Sequence, residues 1–380
     1  MKIAIVCYPT FGGSGVVATE LGLELARKGH EIHFITYKQP VRLDLLNPNI
    51  FFHEVNVPEY ALFHYQPYEL ALSSKIVDTV KLYSIDILHV HYAIPHAFAG
   101  YMARKMLLEE GIYLPIVTTL HGTDITLVGK HPYYKTAVTF SINKSDYVTS
   151  VSESLKRDTY NFFDVKKEIY VIPNFIDADA KDVTNSSKCC RSNMAKPEEK
   201  IITHISNFRG VKRVLDVVEV FNKIQQQTPA KLMMVGEGPD KEKAEELCIK
   251  LGIENKVIFF GNTFDVDRIL KYSDLFLLPS ESESFGLAAL EAMACKVPVI
   301  SSNAGGLSEV NVQGETGFLS NIGDVDDMAK NAMYILSDES RLETFKQKAF
   351  DRAKIFNIEA ILPMYLDIYE KALANKKPIQ

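Results

Sequence analysis

Two glutamates, Glu283 and Glu291, stand eight residues apart in ESESFGLAALEAMAC, the stretch from Glu281 to Cys295. On one continuous helix, eight steps of about 100° leave two side chains roughly 80° apart, so the pair would not share a face. The intervening SFG gives a different geometry. Phe285 and Gly286 open a helix, Glu283 lies in the turn before it, and Glu291 sits about a turn and a half inside. Backbone N–H groups left free at such a helix start suit a phosphate. Carboxylate, amide cradle and carboxylate then span on the order of 10 Å at about 1.5 Å per residue. Carboxylates accept hydrogen bonds well from paired hydroxyls, so sugar, diphosphate and ribose fit that order. The plainer account makes Glu283 a helix cap and Glu291 the polar side of a helix whose apolar side is Leu287, Leu290 and Met293.

Three further clusters carry chemistry. In HISNFRGVKRVLD, the cations Arg209, Lys212 and Arg213 gather where a strand gives way to a helix. Positive side chains at a helix N-terminus run against its dipole, and a bound anion would settle that conflict. In TTLHGTD, from Thr118 to Asp124, His121 precedes Gly122 at a strand end, which predicts a sharp turn with the ring exposed to a site. In PTFGGSGVVATEL, Gly12, Gly13 and Gly15 lead into a helix and let backbone approach an anion. Its spacing matches neither the dinucleotide fingerprint nor the P-loop, and a tight strand-to-helix turn explains it equally well. His91 and Tyr92 end another strand in HVHYAIPHA. His89, His91 and His96 there lack the carboxylate or cysteine partner that a zinc reading needs.

These groups need a scaffold that brings strand ends together. Short apolar runs alternate with amphipathic ones, the signature of parallel βαβ units. KIAIVCY, EIHFITY, DILHVHY, PIVTTLHG and YVTSVS read as strands buried on both faces. IITHIS, KLMMVG, KVIFFG, LFLLPS and PVISS repeat the pattern in the second half. GVVATELGLELARKG, VKRVLDVVEVFNKIQQQ, DKEKAEELCIKLG and LAALEAMAC read as helices. The chain of 380 residues is long enough for two domains. We predict an α/β architecture of two doubly wound Rossmann-like domains, 1–177 and 200–354, joined by a polar region at 178–199. The terminal helical pattern at 355–380 returns to complete the first domain. Two such sheets facing each other would set their strand ends around one cleft, where α/β folds bind ligands.

Composition excludes several classes. The chain is 47% hydrophobic and 24% charged with a net charge of −6, which disfavours a nucleic-acid binder. No apolar run reaches the ~18 residues of a membrane span, and KIAIVCY runs into a glycine turn where a signal sequence would have a cleavage site. Five dispersed cysteines without a CxxC pair fit a reducing cytoplasm, and the adjacent Cys189 and Cys190 lie in a polar stretch.

Together these motifs resemble the retaining glycosyltransferases of the GT-B fold, the large family of sucrose, glycogen and mannosyl transferases. The resemblance covers nearly the whole chain. Its most specific part is E-x7-E, Glu283 to Glu291, supported by GGSG, HGTD, the basic cluster and AGGLSE from Ala304 to Glu309. Within the family, CYPTFGGSGVVATELG, HVHYAIPHA and VTTLHGTDIT look like the branch that joins N-acetylglucosamine to L-malate on the way to bacillithiol. The implied donor is UDP-N-acetylglucosamine and the implied acceptor L-malate. His121, Arg209, Lys212 and Glu283 are implied to be catalytic. Gly12, Gly13, Asn207, Arg209, Lys212, Phe285, Gly286, Leu287 and Glu291 would bind the donor, and Ser14, Tyr92, Thr118 and Thr119 the acceptor. No cofactor and no obligatory metal are implied, since side chains carry the diphosphate charge.

The sequence departs from the family at two places. Asn207 stands where many members have an arginine, and Lys296 where a glycine usually precedes VP. Transfer to a lipid or polysaccharide, a nucleotide-sugar 2-epimerase, and a non-catalytic nucleotide-sugar binder are the rival readings.

Overall fold

The computed structural model describes residues 1–10, 13–59, 64–178, 191–263 and 266–375. It divides into two compact units, Met1–Asn174 with Ile358–Gln380, and Phe175–Asn357.

The first unit holds seven strands: β1 (Lys2–Val6), β2 (Glu31–Thr36), β3 (Ile50–Glu54), β4 (Ile87–His91), β5 (Ile116–Leu120), β6 (Tyr147–Ser150) and β7 (Ile169–Val171). All pair in parallel, in the order β3-β2-β1-β4-β5-β6-β7. Every residue of β4 and β5 is buried, which is why these segments read as unbroken apolar runs despite their polar members. Helix Ser14–Arg27 follows β1 and ends where Gly29 takes a φ of 86°, a conformation that favours glycine. The helix Ile358–Ala374 belongs to this unit and buries Tyr365 and Tyr369 against β4 and β5.

The second unit has six strands: β8 (Lys200–Ile205), β9 (Ala230–Val235), β10 (Val257–Gly261), β11 (Leu275–Leu278), β12 (Val299–Ser302) and β13 (Gly317–Ser320). They too are parallel, in the order β10-β9-β8-β11-β12-β13. Val217 and Phe221 of helix Val214–Gln225 pack with Ile202, Leu232 and Leu275 in its core. The region at 178–199 is not a free-running linker in its later part. Arg191 pairs with Asp274 at 2.8 Å and donates to the carbonyl of Tyr272, while Ala195 lies in a core cluster with Ile201 and Met233. Cys189 and Cys190 lie outside the described residues.

β3, β7 and β13 are strands the periodicity does not reveal. β3 and β7 are the two edges of the first sheet, β13 is an edge of the second, and each is only three to five residues long. Edge strands are half covered, so they lack the fully apolar pattern that marks their central neighbours.

Candidate functional site

Each sheet reverses its direction of growth at its first strand, between β1 and β4 in one unit and between β8 and β11 in the other. Strand ends at such a switch point diverge and leave room for a ligand, and both groups of predicted residues lie there.

In the second unit, the loop after β8 carries Asn207, Arg209 and Lys212, and the loop after β11 carries Glu283. The N–H of Glu281 donates to the carbonyl of Val211 at 2.8 Å and ties the loops together. Lys212 Nζ donates to Glu283 Oε1 at 2.6 Å, and Ser280 Oγ donates to the same oxygen at 2.9 Å. The side chains of Lys212 and Glu283 keep 21% and 13% of their exposure, so the pair is reachable by a ligand. Asn207 and Arg209 are exposed, and Arg209 makes no ion pair among the described residues.

Helix Leu287–Ala294 begins beside Glu283, with Gly286 at a φ of 96° as its cap. Its first backbone bond runs from the N–H of Leu290 to the carbonyl of Gly286 at 3.1 Å. The N–H groups of Leu287, Ala288 and Ala289 thus precede the helix's own ladder and can meet an anion. Glu291 is the fifth residue of this helix and half-buried. AGGLSE gains a role here. A Cβ on Gly305 would collide with the carbonyl of Glu283, one on Gly306 with that of Ser284, and the N–H of Gly306 donates to Glu283 O at 2.8 Å. Two glycines let one loop press against the backbone that aims the carboxylate.

The first unit builds its switch point from hydroxyls and imidazoles around one buried carboxyl. Helix Ser14–Arg27 starts at Gly13, whose φ is 63°. A Cβ at Gly15 would strike the carbonyl of Tyr8, so that glycine lets the helix lie close against the loop after β1. Ser14 Oγ and Tyr92 Oη share a hydrogen bond of 2.5 Å. Tyr92 holds a φ of 85°, rare for a residue with a side chain, and its ring centroid is 5.1 Å from that of His121. His121 Nε2 lies 2.8 Å from His91 Nδ1. Burial, then the nearby His96, pushes the pKa of His121 down to about 3, and burial brings His96 to about 4 against the pull of its bond to the His91 carbonyl. Asp124, which the sequence marked only as a neighbour of His121, connects these loops. Its Oδ2 accepts from the N–H of Ala93 at 2.8 Å, and its Oδ1 from Gly122 at 3.0 Å and His121 at 3.3 Å. Burial raises its pKa to about 6, against the opposing pull of those backbone bonds.

Several expectations are corrected by this geometry. His121 is not an exposed ring; it is partly buried and bonded to His91. Thr118 and Thr119 are fully buried. The Thr118 hydroxyl bonds Ser145 Oγ at 2.7 Å, and Thr119 Oγ1 bonds His89 Nε2 and Thr149 Oγ1 at 2.7 Å each, so both threonines brace the sheet and offer no hydroxyl to an acceptor. The Phe285 side chain is core, packed edge-on to Phe356 at 5.5 Å, which leaves only its backbone for a donor. Arg213 leaves the basic cluster. Its Nε donates to Asp216 at 2.6 Å in the helix's first turn, so the conflict with the dipole is settled without an anion. His89 spends its other nitrogen on Tyr369 Oη at 2.8 Å, which removes it from any metal trio. Lys296 adopts a φ of 61°, the conformation glycine would supply, and its Nζ lies 4.8 Å from the centre of the Phe350 ring. Gly12 lies outside the described residues.

Comparison with known proteins agrees with this architecture. Residues 11–180 match the family model described as Glycosyltransferase Family 4, and residues 190–352 that described as Glycosyl transferases group 1. The N-acetyl-alpha-D-glucosaminyl L-malate synthase of Bacillus anthracis is 46% identical over 378 residues, which is 99% of this chain and 98% of that protein. A glycosyltransferase from Rickettsia africae superposes with a TM-score of 0.80 at 24% identity, covering 98% of this chain and 99% of that one. Anabaena HepE in complex with UDP and glucose gives 0.79 at 19% identity, covering 98% and 100%. At those identities the solved structures share the fold. Motifs, sheet order and similarity over the full length converge: the chain belongs to the group 1 glycosyltransferases and has the GT-B fold.

Proposed function

We propose that the protein transfers N-acetylglucosamine from UDP-N-acetylglucosamine to the hydroxyl of L-malate with retention at the anomeric carbon, in the cytoplasm, as the first step of bacillithiol biosynthesis. The observation that carries the transfer chemistry is the Lys212–Glu283 pair at the second unit's switch point, beside an uncommitted helix N-terminus. One cation, one carboxylate and a row of N–H groups are what a diphosphate next to a sugar requires. The choice of sugar and acceptor leans on the 46% identical relative, whose name specifies an alpha-linked product. UDP-N-acetylglucosamine is itself alpha-linked, so the same outcome here is retention.

In this reading Lys212, Arg209 and the N–H groups from Leu287 onward hold the diphosphate and stabilise its charge as it departs. Asn207 borders it, and Gly13 lies beside the sugar. Glu283 accepts from sugar hydroxyls, Glu291 from the ribose. Ser14 and Tyr92 receive malate at the start of helix Ser14–Arg27, and His121 steadies the sugar. No enzyme nucleophile is used. The β-phosphate oxygen leaves on the face that the malate hydroxyl attacks, and takes that hydroxyl's proton.

The test incubates the pure protein with UDP-N-acetylglucosamine and a panel of hydroxy acids, reading UDP release and product mass. A malate adduct is expected. Turnover of another acceptor without a malate adduct would reject the acceptor, and release of an epimerised free sugar would reject transfer. Because fixed cations carry the charge, EDTA should leave the rate unchanged; loss of activity restored by a divalent ion would overturn the metal-independent mechanism.

A further inference from the structure

His91 ends β4 and is fully buried. Its Nδ1 is 2.8 Å from His121 Nε2, and the two rings lie edge to edge within 20° of a common plane, their centroids 5.0 Å apart, as a hydrogen bond between ring nitrogens requires. Its own Nε2 is buried and has no hydrogen-bond partner among the described residues. Burial, then His89, His121 and His96, holds its pKa well below the ordinary range, so the ring is neutral and carries one hydrogen. Two tautomers are open to it. With the hydrogen on Nε2, a donor would be buried without an acceptor, which folded proteins avoid more strictly than a buried acceptor without a donor. With the hydrogen on Nδ1, that N–H donates to His121 Nε2, and the orphan is only a lone pair. The neighbouring His96 already shows that arrangement. Its Nδ1 is 2.5 Å from the carbonyl oxygen of His91, which can only accept, so His96 carries its hydrogen on Nδ1. Its Nε2 is likewise buried, bare and unpartnered among the described residues.

We propose that His91 is a positioning residue for the transfer reaction: it fixes His121 in the tautomer with hydrogen on Nδ1, making that ring a hydrogen-bond donor and removing it as a base. The inference rests on the reading that His121 lies beside the transferred sugar. With Nε2 accepting from His91 and Nδ1 protonated, His121 has no free lone pair in its plane for the proton of an attacking hydroxyl. In the transfer, the acceptor oxygen bonds to the anomeric carbon as the bond from that carbon to the β-phosphate oxygen breaks. The electron pair leaves with UDP, and the hydroxyl proton follows to the departing phosphate oxygen. The histidine pair offers no competing base on the enzyme, in keeping with attack from the leaving group's own face. Asp124 supports the same geometry from the backbone, since it accepts from the N–H of both His121 and Ala93.

The tautomer can be read directly by long-range 1H–15N correlation NMR on the full chain, labelled at histidine and assigned with His121→Gln. His121 should show a protonated Nδ1 and an unprotonated Nε2. His91→Asn, whose side-chain amide can place an N–H near the former Nδ1, should keep that signature. His91→Leu should lose it, and its kcat should fall about tenfold with the donor KM unchanged, while His91→Asn recovers most of the loss. Hydrogen on Nε2 of His121 in the unsubstituted protein would overturn the proposal. So would equal kcat in the leucine and asparagine variants. If His91→Leu fails to fold, the unsubstituted spectrum and the asparagine variant decide the matter. Failure of the unsubstituted protein to glycosylate any hydroxy acid would sink the functional reading, yet leave the tautomer result standing.

Discussion

The two switch points occupy the same topological position and use opposite electrostatics. In the first unit the side chains assigned to the ligand are neutral: Ser14, Tyr92 and His121, backed by His91, with the carboxyl of Asp124 buried behind them on three backbone N–H groups. In the second they are charged, Lys212 and Glu283, and stay near the surface. Burial separates the two solutions. A neutral imidazole can be taken out of water at little cost, whereas an ion loses several kcal/mol of hydration, so Lys212 and Glu283 stay on the rim and the buried Asp124 needs three backbone N–H donors. The charged rim suits a polyanionic diphosphate. The neutral pocket suits a hydroxyl that must react without being deprotonated early by a competing base.

The largest test of this contrast is acid. His30, His33, His53, His89, His91, His96 and His121 all belong to the first unit and all have depressed pKa values, whereas the second unit has only His204, held near 4 by burial. The unfolded chain takes up protons below about 6.5, before these rings do so in the folded state, so stability falls as pH drops through that value. His89, His91, His96 and His121 each contribute about 1.4 kcal/mol for every pH unit below it. Asp124 works the other way, one raised carboxyl against seven rings. Urea unfolding with pulse proteolysis between pH 7.5 and 5 should show the first unit losing stability well before the second. Parallel loss in both would contradict the assignment of neutral and charged halves.

Lys212→Ala should cost on the order of a thousandfold in kcat/KM, as removal of a fixed charge from a departing group does. Calorimetry should also show weaker UDP binding; UDP affinity left intact would move the diphosphate elsewhere. Glu283→Gln should lower kcat about a hundredfold. Because Glu283 now occupies Lys212, UDP affinity should hold or rise, and a fall in it would break the proposed division between sugar and phosphate. Tyr92→Phe removes the bond to Ser14 and should raise the malate KM about tenfold with the donor KM unchanged, the cost of one lost hydrogen bond. Gly305→Ala places a Cβ against the Glu283 carbonyl at a φ of 54°. It should destabilise the second unit by about 1–3 kcal/mol, read as a lowered Tm. An unchanged Tm would show that the two loops do not depend on each other.

Much of this was legible from local pattern. Central strands announced themselves because burial on both faces demands apolar runs, and Gly29 and Gly286 marked helix ends by the backbone they permit. HGTD fell at a strand end and Gly13 at a helix start, as their residue types required. Edge strands β3, β7 and β13 escaped, being short and half covered. The family resemblance assigns Thr118 and Thr119 to the acceptor, and nothing in a local pattern could show that their hydroxyls are taken by Ser145, His89 and Thr149.

The sequence by itself determined the α/β architecture and the interval between Glu283 and Glu291, since both follow from local backbone geometry. Only the tertiary structure decided the partners. Lys212 meets Glu283 across 71 residues and His91 meets His121 across 30, because β8 lies beside β11 and β4 beside β5. Sheet order arises from many weak, distant contacts that leave no mark on a local pattern. It is this order that turned a histidine at a strand end into one of a pair with a fixed hydrogen, and a lysine in a basic run into the counter-ion of a particular glutamate.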